Sequence, residues 1–243
     1  MKITILGKYG SFPAANGACS GYLIEDGDNH ILIDCGNGVL SRLQKYCSIE
    51  NLDAIVISHL HDDHMGDLRI LQYAIETKKA FGEINWLMKL YIPRTPVDVV
   101  KELSTDIYDI HFITDELSVK VGKFLLTFAA MQHTVESYAI SIENNTTRVV
   151  YSGDTILNDR LIHFSKRADV LICESTFAIA SRLTAMTPHM TAAQAGYVAR
   201  EAKVSKLLLT HFWFEENPKE CVENAKGFFN NVSAVEEFHS YEV

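Results

Sequence analysis

Five short apolar runs in this chain each end in a side chain able to bind a metal or move a proton. Residues 54–58 lead into His59, 124–131 into Gln132-His133 and 148–151 into Ser152-Gly153-Asp154; residues 170–173 lead into Glu174, and 207–210 into His211. Continuous Val-, Ile- and Leu-rich runs of this length predict strands buried on both faces. Such strands belong inside a layered α/β protein. Polar groups delivered from their ends meet only if those ends share an edge, so one site along one edge is expected.

The intervening segments predict helices. Residues 39–46 follow the glycine-containing turn Asp34-Cys35-Gly36-Asn37-Gly38, and 68–79 place Leu68, Leu71, Ala74 and Ile75 at helical spacing. Residues 158–167 open on Asn158 as N-cap, 191–203 on a Thr191/Gln194 capping box, and 218–229 on Pro218 in the first turn. Residues 3–6, 21–25 and 31–34 read as further strands, the last two joined around Asp26-Gly27-Asp28. Residues 80–114 show no clear period. No linker, repeat or low-complexity tract divides the 243 residues, so residues 1–243 are expected to form a single domain.

Composition narrows the classes further. A hydrophobic fraction of 47% with 22% charged residues excludes wholesale disorder. No apolar run approaches the length of a membrane span, and the apolar stretch in MKITILG is too short for a secretory leader. The five cysteines are odd in number and form no C-x-x-C pair, which argues against a disulfide framework or a cysteine-built zinc site. Free thiols in a cytoplasmic setting are the expectation. A net charge of −9 argues against a dedicated grip on a nucleic-acid backbone.

The chemistry concentrates in Ser58-His59-Leu60-His61-Asp62-Asp63-His64-Met65-Gly66-Asp67. His59 and His61 are two apart at a strand end, so their imidazoles point the same way, and Asp63 and His64 follow at the turn into a helix. Imidazole and carboxylate suit Zn²⁺ and accept Mn²⁺ or Fe²⁺. Taken singly, His133 could be a packed core or turn histidine, Asp154 a turn cap and His211 a strand end. Together with the His59 cluster they make five His and two Asp, the inventory for two four-coordinate ions sharing a carboxylate. His30, His111, His163 and His239 lack a partner motif and read as surface or packing residues.

These residues carry a resemblance. The chain is identified as a member of the metallo-β-lactamase superfamily, and most resembles the branch of transfer-RNA 3′-endonuclease (RNase Z) and related phosphodiesterases. Leu6-Gly7-Lys8-Tyr9-Gly10-Ser11-Phe12-Pro13 is similar to that branch's opening glycine loop, and Asp34-Cys35-Gly36 to its second-strand motif. The segments His133-Thr134-Val135-Glu136-Ser137-Tyr138, Tyr151-Ser152-Gly153-Asp154-Thr155 and Leu209-Thr210-His211-Phe212 resemble its remaining ligand segments. The resemblance implies an α/β fold, the four-layer αββα sandwich, with two divalent metals at one edge. It implies that His59, His61 and His133 hold the first metal, Asp63, His64 and His211 the second, and that Asp154 bridges them. Glu174-Ser175-Thr176-Phe177 and His189-Met190-Thr191-Ala192 resemble the branch's acid motifs, implying that Glu174 orients His189 as general acid, with Asp63 the third group in the chemistry. The competing reading is that Glu174 caps a strand and His189 merely precedes a helix. Asp34 and Asp67 are candidates to accept the free N–H of a ligating histidine.

The departures from the branch set the expected function. RNase Z enzymes carry a long basic arm that grips transfer RNA, whereas twenty residues separate His133 from Asp154 here, enough for a single hairpin around Asn144-Asn145. The clustered cysteines of a related phosphoribosyl cyclic phosphodiesterase are absent as well. The expectation is a binuclear zinc hydrolase cutting small or cyclic phosphodiesters, its nucleophile a hydroxide shared by the two ions. The alternatives are RNA 3′-processing, open but disfavoured, and thioester or lactone hydrolysis at the same metals. A membrane partner is not expected; a homodimer is left open.

Overall fold

The computed structural model describes residues 1–179 and 188–243. Strands β1 (Lys2–Gly7), β2 (Gly21–Asp26) and β3 (Asn29–Ile33) form an antiparallel meander. Strands β4 (Ala54–Val56), β5 (Met88–Ile92) and β6 (Tyr108–Phe112) extend it in parallel. The second half repeats the plan. Strands β7 (Ser118–Val121), β8 (Phe124–Met131), β9 (Ser137–Glu143) and β10 (Arg148–Tyr151) are antiparallel. Strands β11 (Val170–Glu174), β12 (Lys206–Thr210) and β13 (Val232–Ala234) add to them in parallel. Strand β14 (Ser240–Glu242) returns to pair with β1, which gives two seven-stranded sheets.

Alternation along the strands explains why the sheets stack. Ile3, Ile5, Tyr22, Ile24, Ile31, Ile33 and Val56 point from the first sheet into one core, which they share with Leu126, Phe128, Ile140, Ile142 and Val150 of the second. The intervening residues Leu23, Leu32 and Ile55 point the other way, into a separate core. Helices α1 (Val39–Leu43), α2 (Asp62–Met65), α3 (Leu68–Ala80) and α4 (Val97–Leu103) contribute Val39, Leu43, Met65, Leu68, Leu71, Ile75 and Leu103 to that second core. On the opposite face, α5 (Asp159–Phe164), α6 (Ala192–Ala202) and α7 (Pro218–Lys226) supply Leu161, Val198 and Cys221. A period-two pattern apolar on both faces requires a cover on each side, and the result is the αββα sandwich.

Local signals act where the sequence places them. The Asn158 side chain accepts from Leu161 N–H, and both bonds of the Thr191/Gln194 capping box form. The helix expected over 39–46 is shorter: beyond Leu43 the bonds Lys45 N–H to Arg42 O and Tyr46 N–H to Leu43 O tighten to a 3₁₀ pattern. Residues 80–114 hold β5, α4 and β6. In α4 only Val100 and Leu103 are buried, too few to print a period. Among the described residues, no helix is long and apolar enough to cross a membrane.

Helix α3 provides a test of the outer core. Leu71 is fully buried, whereas neighbouring Ile70 is 61% exposed. Leu71→Ala is expected to cost about 2–5 kcal/mol of unfolding free energy through lost burial and a residual cavity. Ile70→Ala should change it by no more than about 0.5 kcal/mol. Urea unfolding followed by circular dichroism separates the two.

Candidate metal centre

The parallel strands bring the polar residues together, because β3, β4, β10, β11 and β12 all end at one edge. Asp34, His59, Asp154 and His211 lie just beyond four of these ends, and Glu174 closes β11. His61 takes the N-cap position of the one-turn helix α2 without making a side-chain capping bond, so Asp63 and His64 fall within that turn. The turn packs tightly on the Asp34-Cys35-Gly36 loop. Cys35 N–H donates to His64 O at 2.7 Å, and a Cβ on Gly36 would lie 2.1 Å from Asp63 O. Only glycine fits that approach.

Two groups of ligand atoms result. His59 Nε2 and His133 Nε2 lie 3.1 and 3.2 Å from His61 Nδ1. His64 Nε2 lies 3.2 Å from His211 Nε2, and Asp63 Oδ2 is 3.6 and 3.2 Å from those two nitrogens. Asp154 Oδ2 faces both groups, 3.4 and 3.2 Å from His64 and His211, and 3.7 and 3.9 Å from His59 and His133. Spacings near ~3.3 Å match the edge of a tetrahedron with metal–nitrogen bonds of about 2.0–2.1 Å.

The surroundings set which nitrogen each histidine presents. Asp34 Oδ2 accepts from Tyr151 Oη–H and Ser58 Oγ–H, each at 2.9 Å, and lies 2.7 Å from His64 Nδ1. A carboxylate accepts only, so His64 carries a proton on Nδ1, and Nε2 is the nitrogen left facing the cluster. Ser58 Oγ, its proton committed to Asp34, accepts from His59 Nδ1–H at 3.1 Å. Thr176 Oγ–H donates to Glu174 Oε2 at 2.8 Å and therefore accepts from His211 Nδ1–H at 2.9 Å. His133 Nδ1–H donates to the Pro188 carbonyl at 3.3 Å. His61 runs the other way: its Nε2 meets Thr134 Oγ at 3.3 Å, and Nδ1 faces the cluster.

The electrostatics call for a cation. Burial alone pushes His64 down, yet Asp154, Asp63 and Asp34 outweigh it and hold the imidazole well above its usual range. Burial likewise pushes the Asp154 carboxyl up, and His211, His64 and His59 more than reverse it. His59, His61 and His133 are shifted down, chiefly by burial, and present neutral rings. Asp154 Oδ1 is buried without a hydrogen-bond partner. A buried, unpartnered carboxylate oxygen beside converging lone pairs is what a bound cation would satisfy. The donor set fits divalent metal.

Beside the cluster lies the second pair. His189 Nδ1 is 3.3 Å from Glu174 Oε1, and Glu174 is fixed by Thr155 N–H at 2.6 Å and Met190 N–H at 3.0 Å. Burial pulls His189 down, but Glu174, with Asp154 and Asp63, raises it to about 9. A cavity of about 290 Å³ is lined by His61, Asp63, His133, Asp154 and His189, with Ser11, Thr134 and Pro188. Larger grooves of about 560 and 640 Å³ lie elsewhere, by Tyr197 and by Val222, without converging histidines.

Asp67 needs correction: its Oδ2 accepts from Leu40 N–H at 2.8 Å and steadies α1, where Asp34 alone takes the histidine-facing role. The first-turn position before α3 leaves it closer to backbone N–H groups than to an imidazole. His111 pairs with Asp109 at 3.0 Å and His163 with its own helix backbone, both outside the cluster. Thr176 stands in the Glu174-Ser175-Thr176-Phe177 motif, but its bond to His211, like those of Ser58 and Pro188 O, depends on which strand ends become neighbours.

The sandwich, with histidines and carboxylates gathered at one edge, defines a class of metallo-hydrolases. Residues 29–212 match the family described as beta-lactamase superfamily domain, and the chain belongs to the metallo-β-lactamase superfamily. It is 38% identical over 235 residues to the probable metallo-hydrolase YhfI of Bacillus subtilis, covering 95% of this chain and 94% of that one. Ribonuclease Z of Archaeoglobus fulgidus is 27% identical over 304 aligned positions, 100% of this chain and 97% of that one. The crystal structure of YhfI superposes with a TM-score of 0.95 at 34% identity, covering 100% of this chain and 99% of that one. A diphosphatase of the PhnP family superposes with a TM-score of 0.76 at 15% identity over 100% of this chain and 97% of that one, a likeness of fold alone.

Asp34 is not among the converging donors, so it tests how far their orientation matters. Asp34→Asn keeps volume but lets an N–H₂ or a neutral oxygen face His64. Divalent-metal affinity is expected to fall about 10–100-fold. Competition against a chromogenic chelator measures it, and an unchanged far-UV spectrum shows the fold is kept.

Proposed function

We propose that this chain is a two-metal phosphodiesterase acting on small or cyclic phosphodiesters, with His189 as proton donor to the leaving oxygen. The observation that carries the reading is His189 on the wall of the cavity, its Nδ1 3.3 Å from buried Glu174 behind it. His59, His61 and His133 would hold one ion, Asp63, His64 and His211 the other, and Asp154 both. Zinc suits these donors, with manganese or iron(II) as the other ions they accept. When bound, the ions supply Lewis acidity and an activated water.

The remaining chemistry belongs to the side chains. Two divalent ions would outweigh the charge of the two carboxylates that hold them, which favours an anionic phosphate over a neutral acyl group. His189 spends Nδ1 on Glu174 and keeps Nε2 for the substrate. The Glu174 carboxylate beside Nδ1 pulls the imidazole above its ordinary range, the direction a proton donor requires. Asp63, oriented by Ser11 N–H at 2.7 Å, shares its cavity with His189. Thioester or lactone hydrolysis, with a better leaving group, has less use for such a donor.

RNA 3′-processing is the weaker alternative. The alignment with ribonuclease Z runs to 304 positions against 243 residues here, so roughly sixty positions have no counterpart in this chain. Between His133 and Asp154 stand only β9, a turn at Asn144 and β10. A 3′-extended transfer RNA should therefore be cut poorly beside a cyclic nucleotide, since little basic surface is left to hold a folded polyanion. A cytoplasmic setting accords with five buried free cysteines.

Elemental analysis of protein purified with metal supplementation should find about two transition-metal ions per chain, mainly zinc. Less than one tightly bound ion defeats the binuclear reading. His189→Ala should lose about a hundredfold or more in kcat on alkyl diesters and much less on a nitrophenyl diester, with metal content unchanged. Equal losses on both substrates together with a lost metal would make His189 a ligand and remove the support for phosphodiester chemistry.

A further inference from the structure

Large aromatic side chains that touch one another yet stay in solvent form a ready surface for a planar ligand. Phe12 is 46% exposed and Phe214 36%, with Trp213 half-buried against them. Ring centroids lie 5.2 Å apart for Phe12 and Trp213, 4.8 Å for Phe12 and Phe214, and 5.1 Å for Trp213 and Phe214.

Both loops that carry these rings are built into the metal site. A Cβ on Gly10 would fall 2.2 Å from His211 Cε1, so the loop lies flat on that imidazole. Ser11, at φ 57°, donates its N–H to Asp63 Oδ2 at 2.7 Å and lines the cavity. Phe12 is the next residue, which puts its Cα within about 8 Å of the Asp63 carboxylate given the ~3.8 Å spacing of successive Cα atoms. Trp213 and Phe214 follow His211 directly after Phe212. Gly10 N–H donates to Phe212 O at 3.0 Å and Phe212 N–H to Lys8 O at 2.9 Å, which locks the two loops together. Trp213 N–H donates to Thr176 O at 3.0 Å, and its indole N–H to Glu215 at 3.2 Å, so the ring has a fixed attitude.

We propose that Phe12, Trp213 and Phe214 form the subsite for a nucleobase, and that the diester bound here is a nucleotide whose phosphate enters the cavity while its base stacks on the aromatic rim. This rests on the phosphodiesterase reading above and narrows its substrate class. The cavity, about 290 Å³, is at the small end for a whole ligand, so the bulk of a nucleoside must lie outside it. Exposed rings offer a π-face to any base, so the platform selects for the presence of a base more than for its identity.

The test reads binding without turnover. Trp86 packs partly buried against the helical core, so a Trp86→Phe background leaves Trp213 as the single fluorescent reporter. Metal-loaded protein is titrated with adenosine 5′-monophosphate and with ribose 5-phosphate, fluorescence and calorimetry being followed together. The nucleotide is expected to quench Trp213 and bind roughly tenfold or more tightly than the sugar phosphate, which binds without quenching. Phe12→Ala should abolish that preference and Phe12→Tyr restore it. Equal affinities with no quenching overturn the platform, even if the enzyme hydrolyses diesters. Quenching and preference in a protein that cleaves no diester would instead sink the phosphodiesterase reading and leave the base subsite standing.

Discussion

The site depends on one buried carboxylate. Asp34, at the end of β3 in the first sheet, accepts from Tyr151 of the second sheet, from the backbone and hydroxyl of Ser58, and from His64. It therefore ties both sheets to the His64 imidazole with the same two oxygens. A fully buried charge is tolerated only when its lone pairs are filled, and here every partner is also a structural element. The backbone adopts φ 55° at Asp34 to deliver the carboxylate, a strained conformation that the surrounding bonds over-determine. Moving Asp34 would move His64 and, through Ser58, His59.

The same economy governs the other half of the site. Glu174 accepts from Thr155 N–H, Met190 N–H and Thr176 Oγ, and Thr176 in turn sets the tautomer of His211. One carboxylate thus faces His189 on one side and, through a hydroxyl, His211 on the other. His189 and His211 are linked through this short hydrogen-bonded relay. The cluster of Phe12, Trp213 and Phe214 is joined to it as well, since Trp213 N–H donates to the Thr176 carbonyl.

Much of this was legible before any coordinates. The density of His and Asp over residues 58–67 pointed to the cluster, although β4 stops at Val56 and His61 caps α2, and the capping signals at Asn158 and Thr191 act as their spacing predicts. Asp34 was legible as a partner of a histidine, but the contacts of Ser58, Thr176 and the Pro188 carbonyl were not, because their meaning depends on what faces them. Asp67 shows the converse. It had the right chemistry and the right neighbourhood in sequence, and the turn before α3 directed it to Leu40 N–H instead.

What the sequence by itself determined is the inventory: apolar runs that must become strands buried on both faces, and His, Asp and Glu residues at their ends. Periodicity and local capping act over a few residues and need no partner, so they can be read from the chain alone. Only the tertiary structure decided which nitrogen each histidine presents, that Asp154 faces both groups of donor atoms, and that Phe12 meets Trp213 and Phe214. Those outcomes arise from pairs some 20 to 200 residues apart, such as Asp34 with Tyr151 or Gly10 with His211, and the register of two stacked sheets sets them to within an ångström.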